Sequence, residues 1–252
     1  MNIVIFDTET TGLEKCYCYN IGYMIFDTDL EQVLLKREFV IEQIWHNLPL
    51  FNTGYYANKR PIYVNRMRAK KIKLAKFGNA CQQMIRDFEN YNVEYSYAYN
   101  SPFDEKVFNF NCDWFKCCNP FDTVPIIDIR GNVHKTIAFT KEFQDFCEKN
   151  NCFTKSGNYS TTAETLFQFI TCNTDFEEEH TALADSEIEL QILLETIKRG
   201  CEFGESYKTY ASVPRRTQKT LTIKDKETKE VLFSIDYTER RNFDEGNTII
   251  IK

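Results

Sequence analysis

An aspartate and a glutamate stand two residues apart directly after an apolar run. Ile3, Val4, Ile5 and Phe6 lead into Asp7-Thr8-Glu9-Thr10-Thr11-Gly12. The β-branched and aromatic run reads as a buried strand, and side chains at i and i+2 of a strand share a face. Asp7 and Glu9 therefore point the same way, about 7 Å apart along the backbone. Like charges aimed at one place repel, and burying either without a positive partner costs several kcal/mol. A divalent cation resolves both problems. A strand end with solvated acids is the alternative, and the pair alone does not choose between them.

Three further residues have a context that suits chemistry. Asp104, in Asn100-Ser101-Pro102-Phe103-Asp104, follows a predicted strand over 93–100 and falls in the first turn of a helix opened by Pro102. Open α/β sheets build their sites at that end of the strands, although a lone acid there also simply favours the helix dipole. Asp185 lies one turn into a helix over 181–199 whose stripe is Leu190, Leu193, Leu194 and Ile197. Its neighbours Ala182, Leu183 and Ala184 let it lie against a sheet, whereas Glu177 to Glu179 read as solvated. His180, at the mouth of the same helix, has a base's role available, with an ordinary pKa near 6.5. His46 and His134 lack nearby paired acids and read as structural or surface residues.

The elements that must position these groups follow from periodicity and breakers. Two strands after Gly12, "IGYMIFDTD" and "VLLKREFVI", are joined by a polar turn, giving three antiparallel strands at the start. Residues 48–63 are aromatic-rich and read as irregular, with Pro49, Gly54 and Pro61 as breakers. Helices are expected over 79–90, 140–150 and 161–170, and a short extended piece over 122–128. Strands followed by alternating strands and helices make a mixed α/β sheet domain over residues 1–201. Residues 202–252 read as a small β-rich appendage, with a charged-tipped hairpin and a terminal strand in "NTIIIK".

Composition narrows the class. The chain has 252 residues, 42% hydrophobic and 27% charged, enough for a full core. No stretch approaches the ~20 apolar residues of a membrane span, and no secretory signal opens the sequence. Ten cysteines in such a chain are expected to be reduced thiols in a cytoplasmic protein. Cys16/Cys18 and Cys112/Cys117/Cys118 form no complete four-ligand zinc set, so they read as packing thiols.

The net charge of −6 hides a segregation: nine of the 31 Lys and Arg fall between Gln43 and Arg86, where there is no Asp or Glu. Within Lys59 to Lys76, Arg66, Arg68, Lys70 and Lys71 stand near Tyr55, Tyr56 and Tyr63. That mixture can neutralise phosphates and offer faces for bases; a solvated helix face balancing an acidic body is the alternative.

Taken together, Asp7-Thr8-Glu9-Thr10-Thr11-Gly12, Asn100-Ser101-Pro102-Phe103-Asp104 and His180-Thr181-Ala182-Leu183-Ala184-Asp185 resemble, in order, type and spacing, the three motifs of the DEDDh 3′→5′ exonucleases. That subgroup includes the proofreading epsilon subunit and ribonuclease T. "FDTVPIIDI" also resembles the strand that follows the second motif. The resemblance covers roughly residues 1–200. It implies a ribonuclease-H-like α/β fold, a five-stranded mixed sheet flanked by helices, and release of nucleoside monophosphates from 3′ ends. It further implies Asp7, Glu9, Asp104 and Asp185 as carboxylate ligands of two Mg2+ or Mn2+ ions and His180 as general base. Thr8, Thr10, Thr11, Asn100 and Phe103 become candidate contacts for the terminal nucleotide, with core packing the alternative for Phe103. The expected partner is nucleic acid, single-stranded 3′ ends and DNA foremost. A proofreading subunit docked on a DNA polymerase, or a catalytically dead binding module, are the alternatives. No Gly-x-Ser-x-Gly elbow supports a serine hydrolase.

Overall fold

The computed structural model describes residues 1–215 together with the backbone of Thr217–Lys224 and Val231–Glu239. In chain order the elements are β1 (Asn2–Thr10), β2 (Cys18–Asp27), β3 (Gln32–Ile41), α1 (Glu42–Trp45), α2 (Leu48–Phe51), α3 (Arg60–Arg68), β4 (Lys73–Ala75) and α4 (Phe77–Asn90). There follow β5 (Val93–Ala98), α5 (Pro102–Phe115), β6 (Ile126–Asp128), α6 (Ile129–Val133), α7 (Lys141–Asn150), α8 (Ala163–Thr171), α9 (Ala182–Lys198), β7 (Thr217–Lys224) and β8 (Val231–Glu239).

The main sheet runs β4-β3-β2-β1-β5-β6. β1, β2 and β3 pair antiparallel; β5 is parallel to β1, β6 to β5 and β4 to β3. The sheet is thus the expected mixed one, with a sixth strand added at the edge. β4 has only three residues, too few for a period to show, and its exposed Lys73 suits an edge. The stretch over 48–63 also differs from expectation. Pro49 and Pro61 open α2 and α3 rather than breaking them, because a missing N–H is harmless in a first turn.

The strand β1 is apolar on both sides because both faces of the sheet are covered. Val4 and Phe6 face a core shared with α1 to α5, while Ile3 and Ile5 face one shared with α6 to α9. Alternation then carries Asp7 and Glu9 to the α9 side and Thr8 to the α5 side.

α9 can reach those carboxylates because β2 makes room for it. Gly22 pairs with Asp7 across the ladder. A Cβ on Gly22 would lie 2.1 Å from the Leu183 nitrogen and 2.3 Å from the Ala182 carbonyl carbon, so the first turn of α9 rests directly on the strand. Asn20, also on β2, accepts from the Ala182 N–H at 2.8 Å and from the Tyr63 hydroxyl at 3.1 Å, and donates to the Phe39 carbonyl at 2.9 Å. A fully buried amide thereby caps the helix that carries Asp185.

Beyond Cys201 the chain continues along the domain. The Gly204 N–H donates to the Tyr97 hydroxyl at 2.7 Å, the Tyr210 N–H to His134 Nδ1 at 2.9 Å, and Tyr159 bridges to Val213. β7 and β8 form a separate antiparallel ladder, the expected hairpin. The expected terminal strand in 247–252 lies outside the described residues.

Gly22→Ala should lower Tm by several degrees, since overpacking against backbone typically costs about 1–3 kcal/mol. Thermal unfolding measures this, and an unchanged Tm would mean that α9 does not sit so close to β2.

Candidate active site

Three of the expected ligands meet. Carboxylate oxygens of Asp7, Glu9 and Asp185 lie within 4.8 Å of one another. Glu9 is buried, and Asp7 and Asp185 are half-buried. Asp104, also buried, arrives from the first turn of α5 and accepts a 2.6 Å hydrogen bond from the Thr8 hydroxyl. The Thr8 side chain thus ties the α5 carboxylate to the strand that carries the other two.

Burial is the main cause raising the pKa of every one of these acids, and repulsion from neighbouring carboxylates adds to it. Asp7 and Glu9 are pushed well above the carboxylate range. Asp185 rises to about 8, and Asp104 to about 7 against the steadying Thr8 hydroxyl. Oδ1 of Asp185 is buried without a hydrogen-bond partner among the described residues. Crowded, under-satisfied hard oxygen donors of this kind fit a hard divalent cation.

Two acids that were not expected join them. Glu189 lies one helical turn beyond Asp185 on the same face of α9, and its Oε2 is buried and unpartnered among the described residues. The i+4 spacing was the available signal. Glu178 was read as solvated with its neighbours, yet its side chain is only 14% exposed and its pKa rises to about 7, chiefly through burial. Nothing in an unbroken Glu-Glu-Glu run distinguishes the member that turns inward.

His180 stands at the entry to α9 in the left-handed region, φ +56°, where a non-glycine residue is strained. Its ring stacks on Tyr56 with centroids 4.1 Å apart, and Nδ1 lies 3.5 Å from Glu178 Oε2. Burial first, and Lys59 second, lower its pKa, so the imidazole is neutral near pH 7. Neither Tyr56 nor Lys59 carried a sequence signal for this place.

The basic segment divides. Arg66 was expected on substrate phosphates, but its guanidinium is committed inside the protein. It pairs with Glu38 at 3.1 Å and with Glu179, and donates to the Thr181 hydroxyl at 3.0 Å. The physical reason is that Glu38 is buried on β3 and requires a cation. Arg66 thereby pins the residues on either side of His180. Arg60 likewise lies over the Trp45 ring, 3.9 Å from its centroid. Arg68, Lys70 and Lys71 are exposed.

The expected nucleotide contacts also sort. The hydroxyls of Thr8, Thr10 and Thr11 donate to Asp104, the Gly12 carbonyl and the Lys15 carbonyl, which shapes the turn after β1. Asn100 is exposed, with φ +61° and its N–H on Asp128 Oδ1 at 2.9 Å. Phe103 is half-buried against the α1 to α5 core.

No protein-family model and no curated protein sequence matches the chain. Solved structures do. The nuclease domain of 3′hExo, a DEDDh family member, bound to rAMP, aligns over 84% of this chain and 97% of its own, at 15% identity and TM-score 0.53. The chain has the fold of a DEDDh exonuclease domain. A 3′-exonuclease described in 3′-end-specific recognition of the histone mRNA stem-loop gives TM-score 0.54 at 16% identity, over 84% of this chain and 90% of that one. A full-length 3′-exonuclease gives 0.51 at 15% identity, covering 85% and 68%. Within this DEDDh fold the elements that hold Asp7, Glu9, Asp104 and Asp185 are β1, α5 and α9.

Two measurements test the site's electrostatics. In the folded, metal-free chain Asp185 keeps its proton up to about pH 8, whereas the unfolded chain releases it near the ordinary 3.8. The stabilising excess of bound protons is therefore intact below about pH 4 and is lost as pH rises toward 8. Added Mn2+ should raise Tm more at pH 8 than at pH 5, and an equal shift at both would remove the carboxylates as its ligands. Arg66→Gln leaves Glu38 buried and unpaired, so denaturant unfolding should show a loss of roughly 3 kcal/mol. Lys70→Gln and Lys71→Gln should leave stability within about 0.5 kcal/mol; equal effects would contradict the division.

Proposed function

We propose that this chain is a metal-dependent 3′→5′ exonuclease that hydrolyses nucleic acid, DNA foremost, to nucleoside monophosphates. The observation that carries the reading is the convergence of Asp7, Glu9 and Asp185 within 4.8 Å, with Asp104 tied to β1 through Thr8. These four are the residues that would hold two Mg2+ or Mn2+ ions. Bound there, the ions supply Lewis acidity toward a phosphodiester and an acidified water.

The chain's own residues supply the rest. His180, neutral and partly exposed, accepts the proton of the attacking water, a role typically worth 10²–10⁴-fold. Stacking on Tyr56 and the anchoring of Glu179 and Thr181 by Arg66 hold the ring in place. Arg68, Lys70 and Lys71 face solvent and attract the anionic backbone of a single strand. The similar structures support nucleic acid as the substrate class, since one holds rAMP and another is described with an mRNA stem-loop. No observation favours the polymerase-bound or catalytically dead readings.

The test is digestion of 3′- and 5′-labelled single-stranded DNA, duplex DNA and RNA with Mg2+, Mn2+ or chelator. Asp7→Asn should abolish activity with the fold intact, and undiminished digestion in excess chelator would end the reading. His180→Ala should lower kcat by about 10²–10⁴ while leaving Mn2+ affinity nearly unchanged; collapse of that affinity would make His180 a ligand. Replacing Arg68, Lys70 and Lys71 together with Gln should flatten the slope of log affinity against log salt by about 2. An unaltered slope would place the grip elsewhere.

A further inference from the structure

The sequence separates Cys81 from Cys112 and Cys117 by some thirty residues, and the fold brings them together. Cys81 lies on α4, Cys112 on the last turn of α5, and Cys117 just after the left-handed Lys116 that ends α5. Their three Sγ atoms lie within 4.8 Å of one another. Cys81 and Cys112 are buried and Cys117 is half-buried. All three are free thiols. Among the described residues no other three cysteines lie so close.

Elsewhere in this chain thiols pack against carbonyls or, as Cys147 and Cys152 do, in pairs. Cys18 and Cys201 each turn a single Sγ toward a backbone carbonyl, Asn20 at 3.2 Å and Asn132 at 3.7 Å. At the α4–α5 contact Cys112 Sγ likewise donates to a backbone carbonyl, that of Cys118 at 3.6 Å, but there three thiols also converge on one point. α4 also makes room for the third: a Cβ on Gly78, one turn before Cys81, would lie 3.3 Å from Cys117 Cβ and 3.9 Å from its Sγ. Tetrahedral zinc, with Zn–S about 2.3 Å, sets its sulfurs about 3.8 Å apart, which this cluster can adopt within its present spread. The half-buried Cys117 leaves a way in from solvent.

We propose that Cys81, Cys112 and Cys117 form a three-thiolate site for a borderline-soft divalent ion, Zn2+ being the best match. The fourth position is left open on the Cys117 side. The site is separate from the carboxylate cluster in donor chemistry as well as in place: thiolates select zinc, and carboxylates select Mg2+ or Mn2+. It staples α4 to α5, the helix whose opposite end carries Asp104.

The test is titration of the full chain, reduced and freed of metal, with Co2+ as the probe. One Co2+ per chain should give an intense thiolate-to-cobalt charge-transfer band that stoichiometric Zn2+ displaces. Carboxylate-bound cobalt gives no such band, so the acidic cluster does not contribute. Cys112→Ser and Cys117→Ser should weaken the affinity by roughly tenfold or more, and Cys172→Ser, at an exposed cysteine, should not change it. If Cys112→Ser fails to fold, Cys117→Ser at the half-buried position carries the test. No band in the folded wild-type chain, an undiminished band in Cys117→Ser, or equal loss in Cys172→Ser would overturn the site.

Discussion

Buried carboxylates repel one another, and this protein gathers several of them at one point. Asp7, Glu9 and Asp185 converge, Asp104 and Glu189 stand close enough to raise the charge cost further, and the cation that bears on Asp185, Lys59, sits at the margin. Such an arrangement persists only where the surrounding structure over-determines it. Two apolar cores, one on each face of a six-stranded sheet, hold the strand that presents Asp7 and Glu9. Gly22 and Asn20 bring α9 onto the neighbouring strand with no room to retreat. On the proposed function, this local conflict is the one that divalent cations would relieve.

The charged side chains divide the remaining work by burial. Arg66 is held by Glu38, Glu179 and Thr181, and so it anchors the residues on either side of His180. His180 adopts a left-handed backbone and stacks on Tyr56, which fixes the ring but leaves it partly exposed. Exposed Arg68, Lys70, Lys71, Lys73 and Lys76 are the part of the basic segment that faces solvent. A charge cluster that looks uniform along the sequence is thus two devices once α3 is folded, because one buried acid on β3 claims a cation from it.

Much of this was legible in the residues. The β1 run, the period of α9 and the pairing of Asp7 with Glu9 follow from side-chain alternation and helical spacing, and three motifs in order named the fold. What escaped was tertiary. A three-residue edge strand has no period to detect, and prolines at 49 and 61 look like breakers until the helices they open are seen. Glu178 is hidden in a run of identical acids, and the role of Arg66 depends on the burial of Glu38, a residue on a distant strand. Cys81 meets Cys112 and Cys117 only because α4 packs on α5.

Mn2+ binding to the metal-free chain, counted by electron paramagnetic resonance near pH 8, tests the central claim most directly. Mn2+ prefers oxygen donors, so the cysteine cluster does not compete. The account predicts two ions per chain, close enough for their spins to couple, and loss of that coupled pair in Asp7→Asn. A chain that binds no Mn2+, or that binds it equally well in Asp7→Asn, would contradict it.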